Sequence, residues 1–84
     1  MAEEVSTTVE DAWFISAKQG RDDDLGELVS KVKDVNAEDN LGNTALHYSS
    51  YANHLACVKI LINAKANVNA KNHLGETPLH KVRI

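Results

Sequence analysis

The side chains able to do chemistry are few in this 84-residue chain, and their spacing does not favour it. Four histidines (His47, His54, His73 and His80) and one cysteine, Cys57, invite a metal reading, yet neither H-x-x-x-H nor C-x-x-C occurs. His47 and His80 are moreover the same position of a stretch that recurs 33 residues later, a periodicity that argues against a metal site. The run Asp22-Asp23-Asp24 has two readings, a cation site or the acidic first turn of a helix, where negative charge meets the positive end of the helix dipole. The second needs no further ligands. No phosphate loop, nucleophile elbow or dinucleotide fingerprint is present, and Ser16, Ser30, Ser49 and Ser50 fall on expected helices without a paired base. The sequence therefore predicts no enzyme, no cofactor and no metal site. Cys57, with no partner and no neighbouring base, reads as core filling in a reducing compartment.

The elements that position these residues follow from the recurrence itself. VNAEDNLGNTALH, Val35 to His47, returns as VNAKNHLGETPLH, Val68 to His80, with eight of thirteen positions identical. A fixed period of this size is the mark of a small unit stacked on copies of itself, and such a unit acts through its surface. Thr77-Pro78 is a helix start, because Thr accepts an amide hydrogen bond at the N-cap and Pro at the first helical position loses only an orphaned donor. Thr44-Ala45 is its weaker copy. One helix should run from about Ala45 to Ala52, with Asn53 taking a left-handed turn. A second should run from Leu55 to Ala64, burying a face of Leu55, Val58, Leu61 and Ile62, with Lys59 and Asn63 elsewhere. Upstream, Thr7-x-x-Glu10 suits a capping box for a helix of about Val9 to Lys18, and Gly20 breaks it before a helix reaching about Val32. Residues 1–6 are expected to fray.

Asp39-Asn40-Leu41-Gly42-Asn43-Thr44-Ala45-Leu46-His47 and Asn72-His73-Leu74-Gly75-Glu76-Thr77-Pro78-Leu79-His80 resemble the D-x-x-G-x-T-P-L-H opening of the ankyrin repeat. His54, Val58, Leu61, Ile62, Ala66, Val68 and Asn69 fall on further positions of that pattern. The resemblance implies an all-α solenoid of stacked helix pairs joined by short β-hairpin turns, about 2.4 repeats in one domain of residues 1–84. It divides into a degenerate N-terminal cap (7–38, with Trp13 and Phe14 in place of the Leu-His pair), a complete repeat (39–71) and a truncated one (72–84). It also implies that His47 and His80 hydrogen-bond a neighbouring hairpin and that His54 opens a helix, leaving His73 at a tip as the histidine free for function. Asn36 and Asn69 should tie down hairpin backbone; with Leu28 and Leu61 eight residues upstream, their setting also resembles that of asparagines offered to an asparaginyl hydroxylase.

Ankyrin proteins bind partners on a concave face made by hairpin tips and first helices, so the resemblance implies protein-protein interaction. Carried onto this chain, the face is Glu38, Asn40, Leu41, Asn43, Tyr51 and Ala52, then Lys71, His73, Leu74 and Glu76 at the next hairpin, extended into the cap by Lys18 and Gln19. Tyr48 should lie beside Tyr51, and tyrosines make effective anchors because they bring area and a hydrogen bond at low entropic cost. Tyr51 is the first choice. Leu41 and Leu74, just before the turn glycines, have two readings: packing along the row of hairpins, or apolar contact with a partner.

Composition fits a small intracellular domain, cytoplasmic or nuclear. At 43% hydrophobic content the core is thin, no apolar run approaches a membrane span, and the acidic N-terminus does not look like a secretory signal. Residues 1–38 carry ten acidic and four basic groups, a balance of −6, and residues 39–84 carry two and five, a balance of +3, which together make the −3 of the chain. This polarity suits an oriented partner or head-to-tail copies as well as ordinary solvated faces. It does not suit nucleic acid, for which the basic half has neither the density of charge nor the interleaved aromatics.

The pattern fails at the C-terminus, where Val82 and Arg83 replace two small residues, and Arg83 would bring a cation to a close-packed position. The expectation is a longer array that was cut or diverted near Lys81. Val58, Leu61 and Ile62 would then face a stump, open to self-association through the uncapped C-terminal side. Lys65, at the family's helix-ending Gly position, should cost about 1 kcal/mol. A second role is thus open beside partner binding: a capping segment that mainly stabilises a longer ankyrin array.

Overall fold

The computed structural model describes residues 8–81, in which four helices and one 3-10 turn stack without any strand. The helices are α1 (Val9–Gln19), α2 (Asp22–Leu28), α3 (Ala45–Tyr51) and α4 (Leu55–Asn63), and the 3-10 turn is Pro78–Lys81. α3 lies between α1 and the 3-10 turn, and α4 packs on both α3 and α2. First helices thus form one row and second helices another. This is the all-α stack of helix pairs expected from the repeat, although the tips between pairs are tight turns with no ladder of strand residues.

Local chemistry sets each boundary. Thr8 caps α1 by accepting the Asp11 N–H at 3.0 Å. The cap expected at Thr7 lies outside the described residues, as do residues 1–6, Val82 and Arg83. α1 ends at Gly20 with φ 72°, a conformation that glycine adopts freely. A Cβ there would also meet the His54 ring at 2.6 Å. α2 stops at Leu28, short of the expected Val32, where Gly26 and the β-branched Val29 and Val32 are poor helix formers. Lys31 and Val32 still donate to the Leu28 carbonyl, so the chain leaves α2 through an irregular turn. Asn53 (φ 62°) and Lys65 (φ 70°) take the left-handed turns after α3 and α4.

Trp13, Ala17, Leu25, Ala45, Leu46, Cys57, Val58 and Leu61 form the buried core, flanked by Leu28, Val29, Val32, Val35, Ile60, Ala66 and Val68. The expected face of α4 is therefore corrected. Its buried arc runs through Cys57, Val58 and Leu61, while Leu55 and Ile62 are 49% and 44% exposed. Packing against both α3 and α2 turns the arc toward Cys57, and Leu55 and Ile62, seven residues apart, are left on its outer edge. Val58 and Leu61 are not bare. Burial also raises the Cys57 thiol above its ordinary pKa, with Asp22 adding to the shift, which disfavours thiolate and agrees with a filling role. Asn36 joins successive loops, its Oδ1 accepting the Asn67 N–H at 2.7 Å. No described helix is long and apolar enough to cross a membrane.

Candidate protein-binding face

Each hairpin tip is folded by the first residue of its motif. Asp39 Oδ1 accepts the N–H groups of Leu41 (2.9 Å) and Asn43 (3.0 Å), and Asn72 Oδ1 accepts those of Leu74 (2.9 Å) and Glu76 (2.9 Å). The backbone repeats the same closure, with Asp39 N–H donating to the Asn43 carbonyl and Asn72 N–H to that of Glu76. Gly42 and Gly75 both sit at φ 78°. The result is two matching loops that present Leu41 and Leu74 outward, 63% and 82% exposed. They do not bury each other along the row.

The second tip is fixed to the first. His73 N–H donates to the Leu41 carbonyl at 3.0 Å, and the His73 ring lies so close over Gly42 that a Cβ there would meet it at 2.6 Å. His73 is exposed, yet it is part of the tip-to-tip packing and not a free tip histidine as expected. His47 supplies the deeper link. Its ring is buried, Nδ1 accepts the Thr44 N–H at 3.0 Å, and Nε2 donates to the Glu76 carbonyl at 2.8 Å. Because an amide N–H only donates and a carbonyl only accepts, these partners fix the neutral tautomer with its proton on Nε2. The Thr44 hydroxyl in turn accepts the His47 N–H, closing a capping box at the start of α3.

A polar network joins α3 to the two tips. Tyr48 donates to Asp39, and the Asn43 amide reaches the Tyr48 hydroxyl at 3.5 Å. The Asn72 amide donates to Asn43 Oδ1 (2.9 Å) and reaches the Tyr51 hydroxyl (3.3 Å) and Glu76 (3.2 Å), while Tyr51 donates to Glu76 at 3.2 Å. Although they sit on adjacent turns of α3, the two tyrosines turn to opposite neighbours. Tyr48 meets the Phe14 ring edge-on at 6.0 Å and carries the Lys18 ammonium 4.7 Å from its ring centroid, whereas Tyr51 meets His47 edge-on at 5.6 Å.

Ionisation follows these contacts. Burial pushes the Tyr51 hydroxyl up, and the Glu76 carboxylate that accepts its proton adds to this, to about 12. Tyr48 is raised by burial and then by Asp39. For Asp39 itself burial acts upward, but the bonds from Tyr48, Asn43 and Leu41 and the Lys18 charge outweigh it and hold the carboxyl below its usual range.

Two recesses open beside the tips. One, of ≈ 320 Å³, is lined by Leu41, Asn43, Tyr51, Asn72, His73, Leu74 and Glu76. The other, of ≈ 570 Å³, is lined by Glu10, Asp11, Phe14, Asp39, Asn40 and Leu41. The expected face residues are thus gathered unevenly. Leu41, Asn43, Tyr51, His73, Leu74 and Glu76 share the smaller recess, Asn40 and Leu41 line the larger, and Lys18 stacks on Tyr48. Gln19, Glu38, Ala52 and Lys71 are exposed and line neither. Asn43 is buried, and Tyr48, Tyr51 and Glu76 are half-buried. The sequence reading left out Asp39, Asn72, Glu10, Asp11 and Phe14. For Asp39 and Asn72 a signal existed, since a residue with an acceptor side chain opens both copies of the motif.

Residues 13–82 match the profile of ankyrin repeats (3 copies), and the chain belongs to the ankyrin repeat family. It is 34% identical over 59 residues to an ankyrin repeat domain-containing protein, SAT10, of Stachybotrys chartarum, across 70% of this chain and 3% of that protein. It is 39% identical over 54 residues to oxysterol-binding protein-related protein 1 of Rattus norvegicus and of Mus musculus, across 62% of this chain and 6% of each. The chain therefore spans only a small fraction of the length of these relatives. Ankyrin repeats are in general protein-protein interaction modules.

Proposed function

We propose that the chain binds a protein partner through its hairpin tips and the adjoining side of α3, as an adaptor or a mask over the partner's surface. The observation that carries this reading is the pair of leucines, Leu41 and Leu74, exposed on hydrogen-bonded loops and lining one recess of ≈ 320 Å³. Loops closed by Asp39 and Asn72 lose little conformational freedom on binding, so exposed apolar area there converts to affinity efficiently. In this reading Tyr51 and Tyr48 support the face more than they contact the partner. Their hydroxyls are engaged within the chain, so they shape the floor of the face and the leucines make the contact.

The test is affinity capture from the source cell with the wild-type chain and with Leu41→Ser/Leu74→Ser, whose exposed positions leave folding intact. Proteins retained by the first and lost by the second support the reading; an identical captured set removes it. A structural role within a longer array is favoured by a separate observation, the exposed Leu55 and Ile62 on the outer side of α4. Loss of capture with Leu55→Ser/Ile62→Ser, and not with the tip variant, would establish that role instead.

A further inference from the structure

The two recesses differ in charge, and the difference names the chemistry of the partner. The larger one brings three carboxylates, Glu10, Asp11 and Asp39, around the half-buried Phe14. The smaller is mainly apolar, lined by Leu41, Leu74 and Tyr51, and its single carboxylate, Glu76, already accepts hydrogen bonds from Tyr51 and Asn72. Leu41 lines both, as the ridge between them. No lysine or arginine lines either recess, and neither Glu10 nor Asp11 has a cationic partner among the described residues. Lys18, whose charge acts on Asp39, is held over the Tyr48 ring.

From this juxtaposition we infer that the partner presents an extended segment with a lysine or arginine beside a large apolar side chain, crossing Leu41 so that the cation enters the Glu10–Asp11 cleft and the apolar group the Leu41–Leu74 groove. The inference rests on the tip face being the binding face. Complementary charge accounts for the order in which the segment lies. Glu10 and Asp11 belong to the half of the chain with a balance of −6, so the field extends beyond the cleft and steers a basic segment toward it. Like charge repels an acidic segment from the same place. Asp39 has a smaller part, because its carboxylate is already held by Tyr48 and two backbone N–H groups. A cation in the cleft would be met chiefly by Glu10 and Asp11, on the first turn of α1.

The experiment selects a random peptide display library on the full chain, then measures affinities of the enriched peptides by fluorescence anisotropy at low and high salt. Enriched peptides should carry Lys or Arg close to Leu, Ile, Met or an aromatic. Their affinity should fall about tenfold or more with Leu41→Ser/Leu74→Ser and severalfold with Glu10→Gln/Asp11→Asn, and the second loss should vanish at high salt. Enriched peptides that are acidic or purely apolar, but still need Leu41 and Leu74, would overturn the inferred chemistry while leaving the tip face as the binding face. Peptides indifferent to Leu41 and Leu74, or no enrichment at all, would overturn both. Concentration-dependent association of the chain with itself that Leu41→Ser abolishes, with no peptide competing, would make a second copy the occupant and likewise overturn it.

Discussion

His47 Nε2 donates to the backbone carbonyl of Glu76 across 29 residues at 2.8 Å, so the buried start of α3 is fastened to the following hairpin tip. The same ring accepts the Thr44 N–H. His47→Ala would leave the buried Thr44 N–H without its ring acceptor, take from the Glu76 carbonyl one of its two donors (the Asn72 N–H remains), and open a cavity where the buried ring stood. The expected loss is about 2–4 kcal/mol in urea unfolding, large for a domain of this size. A loss under about 1 kcal/mol would show that the link carries little.

The turn glycines separate backbone strain from crowding. Gly75 has open space where a Cβ would stand, so Gly75→Ala should cost only the positive-φ penalty, about 1 kcal/mol. Gly42→Ala and Gly20→Ala add close approaches to His73 and His54 and should each cost clearly more in thermal melts. In the other direction, Lys65→Gly relieves a lysine at φ 70° and should stabilise by about 0.5–1 kcal/mol. Equal effects at all three glycines would count against the ring contacts.

Stability should weaken at both ends of the pH scale, through different groups. Tyr51 has a folded pKa of about 12, above the ordinary 10.0, so the protonated phenol is favoured by folding. Its contribution is complete below 10 and is lost as pH rises toward 12. Tyr51→Phe, which cannot ionise, should flatten that part of the melting curve. Asp39 is held below its ordinary 3.8, so its contribution is present above that value and is lost as pH falls through the lower folded value. In Asp39→Asn the acid-side slope should shrink. An unchanged alkaline slope in Tyr51→Phe would contradict the Tyr51–Glu76 pairing.

Asn72 and Asp39 hold equivalent positions, but they are not interchangeable. Asn72→Asp would keep the acceptor for Leu74 and Glu76 N–H, lose the amide donors to Asn43 and Tyr51, and set a carboxylate against that of Glu76. The variant should be less stable than wild type by about 1–3 kcal/mol at neutral pH, with the gap narrowing in mild acid as one carboxylate is neutralised. A pH-independent gap would mean that only the lost hydrogen bonds matter.

Much of this was readable from residue order because the repeat states each local rule twice. The positions of Thr44, Asn53, Gly20 and Lys65 carried the helix boundaries, since capping and left-handed turns depend on neighbours in sequence. The rotation of the α4 face was not readable, because Leu55 and Ile62 satisfy the same periodicity as Val58 and Leu61 and only contact with α2 separates them. Nor was the fate of the tyrosines. Tyr51 has the composition of an anchor, and its bond to Glu76, 25 residues away, is a tertiary fact. The acidic cleft was hidden for a similar reason, as Glu10 and Asp11 come from α1 and Asp39 from a tip about thirty residues on.

The proposed division of labour, in which the leucines bind and the tyrosines support, is tested most directly by one paired measurement on Leu41→Ser/Leu74→Ser: its melting temperature, and its Kd for a captured partner or selected peptide. The account predicts a melting temperature within about 4 °C of wild type, as for other exposed substitutions, and a Kd weaker by about tenfold or more. An unchanged Kd at unchanged stability would contradict it.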